Sequence, residues 1–100
     1  MILEGWSLWV RALLMIMSKP TAHASRHMMR VRELGCLICQ QPANAHHIKE
    51  DRIKNDYLTI PLCREHHQGD FSIHMSKRQF TAIYGSELDL LAKTIERLSA

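Results

Sequence analysis

One hundred residues suffice for one compact domain, but a chain this short buries a modest fraction of its surface and commonly needs a metal or another staple. The formal net charge of +3, to which seven histidines add on protonation, leans basic and permits a nucleic-acid partner. Three cysteines, an odd number, argue against a paired disulfide framework and for thiolate ligands in a reducing, cytoplasmic compartment.

Ile2, Leu3, Trp6, Trp9, Val10, Leu13, Leu14 and Met17 recur at helical spacing, with Glu4, Ser7, Arg11 and Ser18 opposite them. An amphipathic helix is therefore expected over residues 1–18, ended by Lys19-Pro20. Glu4, Arg11 and the short apolar run speak against a secretion signal or a membrane span. The tryptophan stripe must be covered by the domain or by a second chain, unless Met17 is the natural start and the segment is an extension.

Lys19 to Ala24 reads as a linker, and residues 25–100 as one α+β unit. Ser25 can cap a helix running through Met28, Met29 and Val31 to Leu34, with Gly35 at its end. Ala45 to Ile48 and Tyr57 to Leu62 suit two short strands of a hairpin, separated by the charged Lys49 to Asp56 loop. A short helix after Cys63 carries His66 and His67 and ends at Gly69. Ser76 with Gln79 and Ser86 with Asp89 have capping-box spacing. They open two scaffold helices, the second with Leu88, Leu91, Ala92, Ile95 and Leu98 on one face.

Cys36-Leu37-Ile38-Cys39 and Cys63-Arg64-Glu65-His66 form a CxxC and a CxxH, the spacing that closes two knuckles around a structural Zn2+. Buried free thiols are the bland alternative, and a redox CxxC lacks its βαβ setting. Five of the seven histidines fall between positions 46 and 74, so His46, His47, His67 and His74 remain once this set is assigned. On a strand His46 and His47 face opposite ways, which lets one bind metal while the other addresses a substrate.

Ala45-His46-His47-Ile48 and Ile60-Pro61-Leu62-Cys63-Arg64-Glu65-His66-His67, behind the CxxC, resemble the HNH endonucleases. Among them they are most similar to the phage recombination-enhancement (Ref) nucleases and related prophage proteins, over roughly Arg30 to Phe80. The resemblance implies a zinc-stabilised ββα-metal (His-Me finger) domain flanked by N- and C-terminal helices. It also implies an enzyme that hydrolyses DNA, with a recombinase filament or a second copy meeting the N-terminal helix. By the same resemblance His47 is the general base, and His46, His67 and His74 hold a catalytic Mg2+, Mn2+, Ni2+ or Zn2+. At about the position of the family's central Asn this chain has Leu58, which leaves Asn55, Asp56 or a backbone carbonyl to orient His47. Lys49, Arg52, Lys54, Arg64, Lys77 and Arg78 flank the site in sequence and can hold phosphates. The rival expectation is a catalytically silent zinc module that binds nucleic acid or protein.

Overall fold

The computed structural model describes residues 20–50 and 53–100. The helix expected over residues 1–18 lies outside them. The elements run α1 (Ala22–Glu33), β1 (Asn44–Glu50), β2 (Ile53–Leu62), α2 (Arg64–Gln68), α3 (Lys77–Tyr84) and α4 (Glu87–Leu98). The fold is α+β, with one antiparallel two-stranded sheet.

Helix α1 starts earlier than the expected Ser25 cap. Thr21 is the N-cap, and its hydroxyl accepts from the Ala24 amide at 3.1 Å, so the last three residues of the supposed linker, Ala22 to Ala24, are already helix. Ala24, Met28 and Val31, spaced by four and three residues, are the positions it buries, and it lies mainly against β2. At the far end Arg30 donates to the Leu98 carbonyl at 3.1 Å, tying α1 to the end of α4. Gly35 then takes φ +79, the left-handed geometry that glycine adopts without strain, and turns the chain into Cys36.

The strands are longer than their apolar runs suggested, because most of the charged Lys49 to Asp56 segment is itself strand. Cross-strand hydrogen bonding extends pairing beyond the apolar stretch, and Lys49 sits opposite Lys54. The register breaks inside the hairpin. Between the His47–Thr59 and Lys49–Lys54 pairs β1 spends only Ile48, whereas β2 spends Asn55, Asp56, Tyr57 and Leu58. This bulge is held by Asn55 Oδ1 accepting from the Tyr57 amide at 2.9 Å and by the Thr59 hydroxyl donating to the Asp56 carbonyl at 3.2 Å. A bulge re-aims the side chains it carries, and here it carries Asp56.

The core gathers Cys36, Ile48, Ile60, Leu62, Cys63, Ile73, Phe80, Leu90 and Leu91. Two of its nine members are cysteines at the knuckles, so the core and the Cys cluster are one structure. Ser76 is the N-cap of α3, but its side chain makes no capping bond; the hydroxyl donates instead to the Asp70 carbonyl at 2.7 Å, and the expected box with Gln79 is not formed. The Ser86–Asp89 box is formed in both directions. The inward face of α4 differs from the expected stripe. Leu90, Leu91 and Thr94 are buried, whereas Leu88 is 59% and Ile95 53% exposed. Thr94 can be buried because its hydroxyl donates to the Leu90 carbonyl at 2.9 Å, which frees the helix to turn Leu90 onto β2.

Candidate metal and catalytic site

Two clusters of ligand atoms form, and the short helix α2 supplies adjacent residues to both, His66 to one and His67 to the other. Cys36, Cys39, Cys63 and His66 each place a ligand atom within 4.8 Å of the others. The Cys39–Cys63 sulfurs are 3.6 Å apart, and His66 Nδ1 lies 3.1 Å from Cys63 Sγ and 3.7 Å from Cys36 Sγ. Tetrahedral zinc with S and N ligands has edges of about 3.5–3.8 Å from its bond lengths. The donor set and its spacing therefore fit a structural metal ion. The first knuckle is shaped for this by the Cys36 amide donating to Gln41 O at 2.8 Å, the Gln40 amide returning to Cys36 O at 2.9 Å, and Ile38 N–H aimed at Cys36 Sγ at 3.4 Å. Burial alone would raise the Cys36 thiol, but the surrounding backbone N–H groups outweigh it and hold the pKa below the ordinary thiol value.

The second cluster is His46, His67 and His74, again with ligand atoms within 4.8 Å of one another. His46 comes from β1 and is 6% exposed, and His67 comes from α2. The intervening segment, longer than a single helical turn, reaches back through Ser72 N–H to Gly69 O at 3.2 Å, Ile73 N–H to His66 O at 3.0 Å and Ser76 N–H to Ser72 O at 2.8 Å. Buried Ile73 anchors the loop and presents His74 to His67, Nε2 to Nε2 at 2.9 Å. Gly69 is required where this loop leaves α2, since a Cβ there would fall 2.5 Å from the Glu65 carbonyl oxygen. His67 Nδ1 is buried without a partner among the described residues, and its Nε2 is the nitrogen that faces His74.

Burial lowers His67 from its ordinary value of 6.5 to about 4, with the neighbouring His46 and His74 adding to the effect. Burial also lowers His46, only partly offset by the Glu87 carboxylate. A histidine neutral in the fold and protonated when unfolded contributes stability that is complete above pH 6.5 and is lost as pH falls from 6.5 toward 4. The melting temperature of protein with no added second ion should drop through that interval, and His67→Gln should drop less steeply. Parallel melting profiles for the two proteins would show that His67 is not the source.

His47 turns away from this trio: its Nε2 lies 2.9 Å from Asp56 Oδ1, the carboxylate delivered by the β2 bulge. Leu58 is half-buried against the core, so of the possible orienting groups it is Asp56 that meets the ring, while Asn55 is spent on the bulge. His46 and His47 nevertheless share one cleft of about 250 Å³, lined with them by Lys49, Ile73, His74, Lys77 and Glu87.

The chain belongs to the family described as "Protein of unknown function (DUF968)". That family's model matches residues 11–100. No curated protein and no solved structure matches the chain. Of the six basic residues singled out in this family member, Lys49 and Lys77 line the cleft. Lys54, Arg64 and Arg78 are exposed and outside its lining, and Arg52 lies beyond the described residues.

Glu87 is the site residue that sequence reasoning passed over. Its Oε2 is 3.2 Å from His46 Nε2 and its Oε1 2.8 Å from Lys77 Nζ. In sequence it is one more acid in the first turn of a capped helix, which helix electrostatics explains on its own. Among the described residues no helix is long and apolar enough to cross a membrane.

Proposed function

We propose that the chain is a metal-dependent endonuclease of the HNH kind, hydrolysing DNA phosphodiester bonds, with the β1–β2–α2 unit as its ββα-metal core. The observation that carries this reading is the division of labour between adjacent strand residues. His46 joins a set of three histidines that could hold an ion, and His47, one residue on, lines the same cleft and is bonded to the Asp56 carboxylate.

The chemistry of His47 follows from its partner. With Nε2–H donating to Asp56, the neutral ring carries its lone pair on Nδ1, ready to take a proton from an attacking water near neutral pH. Asp56 fixes the tautomer and the orientation of the ring. His46, His67 and His74 would hold the divalent ion, which as a Lewis acid supplies charge neutralisation at the phosphoryl and departing 3′ oxygens. Three imidazoles favour manganese, nickel or zinc over magnesium. Lys49 and Lys77 in the cleft would hold the backbone phosphates by charge, a contact that weakens with salt and ignores base sequence. On this reading Cys36, Cys39, Cys63 and His66 keep zinc for the fold alone.

Incubation of the purified protein with supercoiled plasmid and with single-stranded circular DNA, under Mg2+, Mn2+ or Ni2+ and with or without a recombinase filament, tests the proposal. Ion-dependent nicking that a chelator stops and that His47→Ala lacks is expected. Intact DNA of both forms under every ion and with the filament present would leave only a zinc-stabilised binding module.

A further inference from the structure

Helix α4 does more than roof the core. The Ser86–Asp89 box fixes its first turn: Ser86 Oγ accepts from the Asp89 amide at 3.1 Å and Asp89 Oδ2 from the Ser86 amide at 3.0 Å. Gly85 leads into it at φ +105, a conformation that a larger residue would enter only with strain. Glu87 is thus mounted on a rigid platform. An acid in a first turn ordinarily points into water, where it complements the helix dipole at no packing cost. The side chain of Glu87 instead is only 19% exposed, and both its oxygens are engaged.

Its two partners are unequal. The Lys77 side chain is 66% exposed, and an ion pair with so solvated a partner gains little stability, too little to account for drawing a carboxylate inward. His46 is buried, and its contact with Glu87 crosses from α4 to β1, linking residues 41 apart in sequence. Glu87 is not itself a member of the three-histidine ligand set. A carboxylate bonded to the far nitrogen of a ligating histidine is the usual device for fixing ring orientation and raising ligand basicity.

We propose that Glu87 is a positioning residue for His46, accepting the Nε2 proton so that Nδ1 keeps the lone pair for a divalent ion shared with His67 and His74, and that Lys77 steadies the carboxylate. The proposal rests on the metal-dependent reading of the cleft and names the element that tunes it. Helix α4 becomes part of the site through one side chain. Glu87→Gln preserves shape and an acceptor oxygen but not charge, and Glu87→Ala removes both.

Calorimetric titration of Ni2+ into protein that retains its Cys-site metal reads the effect without any substrate. Glu87→Ala should weaken Ni2+ binding roughly 10- to 100-fold. Glu87→Gln should fall between it and the unaltered protein, and Lys77→Met should lose less than either. Unaltered Ni2+ affinity in both Glu87 variants would overturn the proposal and leave Glu87 as a helix tie. Failure of the unaltered protein to take up a second ion would overturn the metal reading itself, a result separate from any difference among the variants.

Discussion

Cys39→Ser is expected to strip the Cys-site metal and unfold the domain, not merely to inactivate it. Cys36 and Cys63 are core residues as well as members of the four-residue set that could hold a metal ion, so the cluster and the apolar core should stand or fall together. A structural zinc contributes about 10–16 kcal/mol in small metal-folded modules, comparable with the whole stability of a domain, about 5–15 kcal/mol. Losing one of four ligands therefore removes a large share of what holds 100 residues folded. Metal content and far-ultraviolet circular dichroism of the variant check this. A Cys39→Ser protein with its metal and its melting temperature intact would show that Cys39, the exposed member of the set, is not a ligand.

The second large effect falls on His47. His47→Ala should leave the fold and both ligand clusters in place, because the side chain is a member of neither and, among the described residues, is bonded to Asp56 alone. Hydrolysis should fall by roughly two to four orders of magnitude, the usual cost of a lost general base. His46→Ala should fail differently, by weakening the second ion, so that added metal restores part of the rate. Rates measured for both variants across a metal titration separate the two. A His47→Ala protein that lost its second ion, or that cut DNA at the normal rate, would place the base elsewhere.

What could be read from the sequence was whatever is written in short spacings. The CxxC and CxxH bring together four residues that could hold a metal ion, as their spacing implies, and α2 ends at Gly69 as its punctuation suggests. Capping was legible where both partners serve the helix, as at Ser86 and Asp89, and misleading at Ser76, whose hydroxyl is taken by the Asp70 carbonyl. The buried face of α4 was misjudged because a hydroxyl satisfied within its own helix, as in Thr94, is as easily buried as a leucine. Glu87 and the aim of Asp56 were illegible for a different reason. The first depends on a contact between residues 41 apart, and the second on a bulge whose extra residues follow no periodicity.

On the proposed reading His46, His67 and His74 bind an ion distinct from one held in the Cys cluster, and this second ion is needed to cleave DNA. The most direct measurement titrates Mn2+ into protein carrying one equivalent of zinc, following bound metal and plasmid nicking in the same samples. Nicking should be negligible at one ion per chain and should rise in step with occupancy of the second, with His67→Ala shifting both curves together. Full nicking by protein holding zinc alone, or a second ion that binds without any nicking, would show that the three histidines do not hold a catalytic ion.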